Sequence, residues 1–359
     1  MLRRLLRTWR ILALVLRRPL LPAIRGAALG LVWTVNQLGL RLDPLIWGPP
    51  PPIRRPILIL GNPRSGTTFL HRFLHQHRVA TGVPLWRMLF PSLTVGALVR
   101  PLLPLLERVS PARHHAATAH KTSLTAVETD EAALLFRFFD GFFLYAFFWA
   151  FDEEDAMDQF DPRVRDTSAR DLSWWRTLWS RTLAGEGGAR ILAKPFSLNA
   201  RPDAIFEAFP DAKVLYLVRD PVATIPSGMS LVTSALQGSV GFWQQPEALR
   251  QRHMERLYRG LTMLYTRFLE HLDSLPRGQV MVVTYPRMMG DFEGLMEEVL
   301  AFLEVEPDAA LRQAIADRAA AQRQWKSGHR YDLERFGLTE ERIRQDLADV
   351  YRRWPELVE

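Results

Sequence analysis

The sequence predicts an α/β fold of three layers, in which helices flank a central parallel sheet. Four short aliphatic runs predict the strands, namely ILIL at 57–60, RILAK at 190–194, KVLYLV at 213–218 and QVMVVTY at 279–285. These runs are continuously apolar rather than alternating, which is typical of strands buried on both faces. Segments with helical periodicity lie between them, and this alternation favours parallel strands joined by crossover helices.

The composition limits the classes of protein. The chain has 359 residues, 48% of them hydrophobic, which is enough for one large domain or two small ones with a sizeable core. It has no cysteine, so disulfides, thiolate zinc sites and cysteine nucleophiles are excluded. The net charge is +7, but no recognition helix or basic and aromatic platform is evident, and we expect no nucleic-acid partner.

The arginines are concentrated at the start of the chain, in an amphipathic region that we place at 1–48. In MLRRLLRTWRILALVLRR they fall within an arc of roughly 140° opposite the leucines, as in a helix that lies at a membrane surface. Packing on the rest of the protein is the alternative interpretation. The apolar stretch at 26–40 is shorter than the ~20 residues of a membrane span. We therefore expect a cytoplasmic protein, with peripheral contact at the inner face of the membrane through residues 1–40 under the first interpretation.

A proline-rich spacer, WGPPPPIRRP, follows this region, and we place the spacer at 49–56 and the main domain at 57–359. The first strand then leads into GNPRSGTT at 61–68, where two glycines and the start of a helix supply N–H groups for an anion. A nucleotide-triphosphatase loop has lysine after its second glycine, and here Thr67 occupies that position. The cation is Arg64, inside the loop, which suits a shorter anion than a triphosphate.

A second segment with anion-binding character is LYLVRDPVATIPSGMS. It places Arg219 at the carboxyl end of a strand, where ligands of open α/β sheets bind. Asp220 and Pro221 are suited to cap and begin a helix, and Ser227 follows within that helix.

These two segments resemble the nucleotide motifs of the PAPS-dependent sulfotransferases. PRSGTT has the form of the first motif, P-[KR]-S-G-T-T, and the strand that ends in Arg219, with Ser227 eight residues later, has the form of the second. The resemblance implies a P-loop-like fold of the bacterial-type branch, 3′-phosphoadenosine 5′-phosphosulfate (PAPS) as cosubstrate, and no metal. It also implies that Arg219 and Ser227 bind the 3′-phosphate. The residues that it implies for the 5′-phosphosulfate are Pro63, Arg64, Ser65, Gly66, Thr67 and Thr68.

The candidate catalytic residues follow from the same comparison. Lys194 ends a predicted strand, where its ammonium group can meet the transferring sulfuryl oxygens together with Arg64. The cytosolic branch has a histidine base two residues after this lysine, but Phe196 stands there. The base must therefore come from elsewhere, and Glu128 is our first candidate and His120 our second.

Two other segments are open to two interpretations each. Glu128 belongs to an acidic cluster, VETDE, that equally fits plain charge stabilisation at the start of a helix. The resemblance suggests a loop over the nucleotide phosphates in WKSGHRYDL, although a solvated basic turn explains it equally well. The residues of that loop are Lys326, Gly328, His329 and Arg330.

The sequence as a whole predicts sulfuryl transfer from PAPS to a hydroxyl, or an amine, of a small-molecule, lipid or glycan acceptor. The aromatic stretch at 136–151 suits core packing, a lining for a hydrophobic acceptor or a membrane-facing patch. Two other functions remain open. One is a P-loop kinase or nucleotide hydrolase with Asp220 as the metal-holding acid, and the other is a non-catalytic nucleotide-binding protein at a membrane surface.

Overall fold

The structure is a computed structural model that describes residues 2–17, 20–109, 123–323 and 332–358. Its strands are β1 (Ile57–Gly61), β2 (Thr81–Gly82), β3 (Ile191–Ala193), β4 (Lys213–Val218) and β5 (Val280–Thr284). Its α-helices are α1 (Leu2–Arg10), α2 (Leu20–Trp47), α3 (Thr67–Gln76), α4 (Leu85–Leu89), α5 (Leu93–Val99), α6 (Leu103–Val109), α7 (Glu131–Phe138), α8 (Phe142–Phe147), α9 (Ser168–Glu186), α10 (Asp203–Ala208), α11 (Pro221–Val240), α12 (Glu247–Leu272), α13 (Tyr285–Gly290), α14 (Phe292–Leu303), α15 (Ala309–Arg323), α16 (Glu340–Asp346) and α17 (Ala348–Arg353).

The sheet has the strand order β2-β3-β1-β4-β5. β1 pairs in parallel with β3 and β4, and β4 pairs in parallel with β5, so the predicted parallel α/β fold is confirmed. β1 and β3 are buried along their whole length, as continuous apolar runs predict. β5 is only half-buried because it lies at the edge of the sheet, and Val283 is its one buried residue.

The strand order places a switch point beside β1. From β1 the chain crosses to β2 and β3 on one side of the sheet and then to β4 and β5 on the other. The carboxyl ends of parallel strands meet at one edge, and ligands of open α/β sheets bind where the order reverses. The segments that follow β1, β3, β4 and β5 are therefore the ones that can contribute to a common site.

Clustering of the backbone divides the chain into two compact units. The first unit comprises Met1–Ile53, Thr81–Ile191 and Met229–Gly260, and the second comprises Arg54–Ala80, Leu192–Gly228 and Leu261–Glu359. The second unit contains the loop after β1 and the segments that follow β3, β4 and β5. The sequence-based boundaries at residues 48 and 56 remain predictions.

Three of the four arginines of α1, namely Arg4, Arg7 and Arg10, make contacts within the first unit, while Arg3 is exposed. Nε of Arg7 donates to the buried carboxylate of Asp152 at 2.5 Å, and Nη2 of Arg10 donates to the same group at 2.9 Å. The guanidinium group of Arg4 donates to the backbone carbonyls of residues 138 and 139. Helix α1 is amphipathic as predicted, and it is the polar side that packs on the protein.

The aromatic stretch at 136–151 does not form one helix. The chain leaves α7 at Phe139, which has φ 50°, and Gly141 has φ 91° before α8 begins. Phe142, Tyr145 and Phe151 are among the buried aromatic side chains that follow. This burial supports core packing, the first of the three interpretations of the stretch.

Asp140, in this same turn, is a buried carboxylate surrounded by arginines. Arg165 and Arg170 donate to its Oδ2 at 2.5 and 2.7 Å, and Arg4 lies 3.5 Å away. Burial alone would raise the pKa of Asp140, but the hydrogen bonds from Arg165 and Arg170 outweigh it and lower the pKa to about 2. A carboxylate with a lowered pKa stabilises the fold above its unfolded-state pKa of about 4, and the contribution disappears as the pH falls toward 2.

We expect Asp140→Asn to lower the free energy of unfolding at neutral pH by about 2 kcal/mol, the value of a shift from about 4 to about 2. The difference from wild type should shrink as the pH falls below about 4. Urea unfolding of both proteins, down to the lowest pH at which each still unfolds cooperatively, measures this. A difference that does not change with pH would contradict the assignment.

Candidate functional site

The loop after β1 has an unusual backbone. Gly61 and Gly66 have φ 127° and 95°, values that suit glycine, but Arg64 between them has φ 77°. An arginine in this left-handed region costs about 1–2 kcal/mol, and such strain is typical of functional sites. A Cβ atom at Gly66 would collide with Cε of Met288, so glycine is required there for packing as well.

Buried hydrogen bonds hold this loop in place. The Ser65 hydroxyl donates to the carbonyl oxygen of Asn62 at 2.7 Å, and Nδ2 of Asn62 donates to the carbonyl of Leu261 at 2.7 Å. The N–H of Gly61 donates to Oδ1 of Asn199 at 3.0 Å. Asn62 and Ser65 are fully buried. The Ser65 side chain therefore shapes the loop, and the positive φ of Gly66 ends it at the start of α3.

The two predicted motifs meet at the carboxyl edge of the sheet. Nε of Arg64 donates to the hydroxyl of Ser227 at 2.9 Å, and Nη1 of Arg219 lies 3.4 Å from the carbonyl oxygen of Arg64. The guanidinium group of Arg219 also lies over the ring of Tyr285, 4.0 Å from its centroid. The structure thus brings Arg64, Arg219 and Ser227 into one cluster, in front of the first turn of α3.

The two arginines of this cluster make contacts with neutral groups. Among the described residues, the partners of Arg64 and Arg219 are a hydroxyl, a carbonyl oxygen and an aromatic ring, and neither forms an ion pair with a carboxylate. The first-turn N–H groups of a helix also lack intrahelical acceptors and carry partial positive charge. The cluster therefore combines two positive side chains with a helix N-terminus, which is an arrangement that binds anions.

Hydrogen bonds from two tyrosines, Tyr351 and Tyr265, hold the turn that carries Arg219. Oδ1 of Asp220 accepts the N–H of Val222 at 2.9 Å and the hydroxyl of Tyr351 at 2.6 Å, as expected for a helix cap. Burial first, and then the hydrogen bond to Asp220, raise the pKa of Tyr351, so the phenol stays protonated and donates. The hydroxyl of Tyr265 donates to the carbonyl oxygen of Arg219 at 3.0 Å.

Lys194 lies where the sequence predicts, directly after β3. Its Nζ donates to the Thr68 hydroxyl at 2.8 Å, which connects it to the first turn of α3. One turn further along α3, Nε2 of buried His71 lies 3.2 Å from the carbonyl oxygen of Leu192 in β3. Burial, and secondarily the charge of Lys194, lower the pKa of His71 well below its usual value. His71 is therefore neutral with its proton on Nε2, and it fastens α3 to β3.

Glu128, the first candidate base, lies in the first unit. It is 7% exposed, and its backbone N–H donates to the carbonyl of Val83 at 3.3 Å. The neighbouring acids have structural partners, since Oδ1 of Asp130 accepts Nε1–H of Trp179 at 2.8 Å and Oε1 of Glu131 accepts the N–H of Phe142 at 3.3 Å. Asp130 and Glu131 therefore hold neighbouring parts of the first unit in place, while Glu128 lies three residues before α7 begins.

The second candidate base and the predicted phosphate-covering loop lie outside the described residues. These positions are His120, Lys326, Gly328, His329 and Arg330. Among the described residues, no group of histidine, aspartate and glutamate side chains has the arrangement of a metal site. No helix in the described ranges is both long and apolar enough to span a bilayer.

Sequence reasoning missed residues that support the site. Tyr285 could have been found, because it directly follows β5 at the carboxyl edge where the other candidates lie. Asn199 and Tyr351 carried no usable signal. Each contacts a motif residue more than 130 positions away in the chain, and no local pattern encodes such a contact.

The fold and the paired anion-binding segments define the class of P-loop-like transferases, and comparison with known proteins gives the family. Residues 56–309 match the model of the sulfotransferase family, so the chain belongs to that family. This membership favours the sulfotransferase interpretation over a P-loop kinase or nucleotide hydrolase.

The individual proteins that resemble this chain have low sequence identity to it. Over 155 residues the chain is 27% identical to human heparan sulfate glucosamine 3-O-sulfotransferase 6, a match that covers 42% of this chain and 42% of that protein. The matched part is thus less than half the length of that relative. The sulfotransferases STF1 of Mycobacterium tuberculosis and STF9 of Mycobacterium avium have similar structures. STF1 has a TM-score of 0.67 at 20% identity over 97% of this chain and 91% of that chain. STF9 has a TM-score of 0.65 at 18% identity over 85% and 78%. These likenesses establish the fold.

The strained backbone of Arg64 allows a test with a matched pair of variants. Arg64→Ala and Arg64→Gly both remove the guanidinium group, but only glycine adopts φ 77° without strain. We expect the glycine variant to be the more stable of the two by about 1 kcal/mol, which reverses the usual order of alanine and glycine. Urea unfolding of both variants measures the difference. Equal stability, or a more stable alanine variant, would show that the loop relaxes.

Proposed function

We propose that the enzyme transfers the sulfuryl group of PAPS to a hydroxyl group, or an amine, of a small-molecule, lipid or glycan acceptor. The observation that carries this proposal is the cluster of Arg64, Ser227 and Arg219 at the carboxyl edge of the sheet. The cluster joins the two segments that resemble nucleotide motifs, and its lysine-free loop suits a nucleotide with phosphates at two positions rather than a triphosphate chain.

The proposed binding mode follows from the placement of each group. Arg219 and Ser227 would bind the 3′-phosphate, and the loop from Pro63 to Thr68, with the first-turn N–H groups of α3, would bind the 5′-phosphosulfate. Arg64 lies between the two positions because its Nε is held by Ser227. Its remaining guanidinium N–H groups can donate to an oxygen of either group.

The proposed chemistry is an in-line displacement at sulfur. The acceptor oxygen forms a bond to sulfur while the bond between sulfur and the 5′-phosphate oxygen breaks, and a base accepts the acceptor's proton. Lys194, placed 2.8 Å from Thr68 at the start of α3, would stabilise charge on the sulfuryl and bridging oxygens. Positioning and electrostatic stabilisation provide most of the rate enhancement in the related phosphoryl transfers.

Glu128 is proposed as the base, with His120 as the second candidate. A carboxylate within hydrogen-bond reach of the acceptor hydroxyl can accept its proton as the new bond to sulfur forms. Glu128 is buried. We assign it to chemistry because its acidic segment resembles a glutamate-containing segment of the sulfotransferase family.

The acceptor is proposed by class. The curated relative is named for a heparan sulfate glucosamine acceptor, which makes a glycan one candidate, and small molecules and lipids are the others. The loop from Lys326 to Arg330 is proposed to cover the nucleotide phosphates, as the resemblance to the family implies.

Nucleotide binding is tested by calorimetry with adenosine 3′,5′-bisphosphate. Wild type should bind, and Arg64→Ala and Arg219→Ala should each weaken binding by about tenfold or more, since each removes charge-assisted hydrogen bonds. Arg277→Ala, which changes an exposed arginine of the same unit, is the matched control and should bind like wild type. No heat of binding to the wild type, or full affinity in both site variants, would refute the proposal.

The base is tested by Glu128→Gln. This variant should bind adenosine 3′,5′-bisphosphate like wild type but transfer labelled sulfuryl from PAPS about a hundredfold more slowly, because general-base catalysis contributes at least that factor. The readout is transfer to whichever hydroxyl compound of an acceptor panel the wild type uses. Glu247→Gln, at an exposed glutamate, is the control. Unchanged turnover would exclude Glu128 as the base and leave His120 as the candidate.

A further inference from the structure

The solvent-exposed side of helix α2 is almost entirely apolar. Leu31, Val35, Leu38, Leu42 and Leu45 recur at intervals of four and three residues along one side of the helix, and all are exposed, Leu45 by 82% and Leu31 by 67%. We call this side, with Ile46 at its end, the outer face of α2. A continuous apolar surface of this kind on a soluble domain indicates an interaction site.

Asn36 and Asp43, the buried polar residues described on α2, lie on the opposite, inner side and have fixed partners there. Nδ2 of Asn36 donates to the carbonyl oxygen of Leu89 at 3.0 Å. The carboxylate of Asp43 accepts hydrogen bonds from the Ser92 hydroxyl at 2.8 Å and from Nε of Arg181 at 3.0 Å. The usual amphipathic arrangement is therefore reversed, because the polar side of the helix is buried and the apolar side faces outward.

Helix α1, which packs against α2, repeats this reversal. Arg4, Arg7 and Arg10 are held by Asp152 and by backbone carbonyls, while Leu2, Leu6 and Trp9 are exposed by 69%, 57% and 46%. These contacts, with those of Asn36 and Asp43, fix which side of each helix packs on the protein, so the exposure of the apolar groups is a consequence of the fold. It points to an apolar partner outside the described part of the chain.

The charge around these apolar groups identifies the chemistry of the partner. Asp43 is the first acidic residue of the chain, and it is buried and paired with Arg181. The exposed charged residues described on and between these helices are Arg3, Arg10, Arg17 and Arg41, of which Arg10 also pairs with Asp152. An apolar surface with a positive border matches the acyl chains and headgroups of an anionic bilayer.

A second copy of the chain fits this surface less well. The spacing of four and three residues would suit a helix pair, but such pairs are specified by opposite charges at the flanking positions. Arg41 occupies such a flank, and a symmetric partner would bring a second Arg41 toward it with no exposed acid on α2 to compensate.

We propose that the outer face of α2 binds the surface of an anionic lipid bilayer, with the helix lying parallel to the membrane plane. This proposal replaces the orientation that the sequence suggested, in which the arginines of α1 would have faced the headgroups. It does not depend on the identity of the sulfuryl donor.

Flotation with lipid vesicles tests the proposal. The probes are vesicles of phosphatidylcholine mixed with phosphatidylglycerol, and vesicles of phosphatidylcholine alone. The full chain should float with the anionic vesicles, and its affinity for neutral vesicles should be lower by a factor of at least about ten. The double variant Leu38→Gln, Leu42→Gln should bind anionic vesicles at least about tenfold more weakly, because it removes two apolar side chains from the contact.

Control variants and alternative outcomes make the test decisive. Val164→Gln changes an exposed apolar residue of the same unit that is not part of α1 or α2, and this variant should float like wild type. Adenosine bisphosphate affinity and thermal unfolding establish that the double variant is folded. Wild type that does not float, a double variant that floats equally well, or a lipid-free dimer that the double variant converts to monomer would each overturn the proposal, and the last would assign the face to a second copy.

Discussion

The hydrogen bond from Nε of Arg64 to the hydroxyl of Ser227 connects two segments that lie 163 residues apart in the chain. It requires Arg64 to adopt a left-handed backbone, which the buried contacts of Asn62 and Ser65 on either side enforce. It also requires helix α11 to begin at Pro221 in the correct direction, which Asp220 and Tyr351 ensure. The candidate site therefore depends on hydrogen bonds that do not themselves face a ligand.

The sequence predicted the sheet well where burial decides the structure. The runs at β1, β3 and β4 are continuously apolar because both faces are covered, and that signal is local. β2 has only two residues, Thr81–Gly82, which is too short for any periodicity to appear. The orientation of α1 was equally inaccessible. Its amphipathicity is local, but the carboxylate of Asp152 that draws Arg7 inward lies 145 residues further along the chain.

The candidate site also contains some residues that local sequence patterns identify and others that only the folded structure reveals. Arg64, Arg219 and Ser227 could be selected because each belongs to a short motif with a physical rationale, a loop before a helix or a strand before a helix cap. Lys194 could be selected by its place after a strand. Tyr265 and Tyr351 could not, because tyrosine is common in cores and only the folded chain shows that their hydroxyl groups hold Arg219 and Asp220. Motifs thus identify candidates for ligand contact, and tertiary structure identifies what positions them.

The chain uses its arginines in two distinct ways, and the difference bears on how an anion binds. Arg165 and Arg170 are neutralised by the buried carboxylate of Asp140, so their charge contributes to stability. Arg64 and Arg219 instead donate hydrogen bonds to a hydroxyl and a carbonyl oxygen, and Arg219 also lies over an aromatic ring. An arginine paired with a carboxylate would have to give up that pair before it could bind a phosphate, and the cost would reduce affinity. Neutral partners fix the geometry of the two guanidinium groups while leaving their positive charge for the ligand, which is the preorganisation that tight anion binding requires.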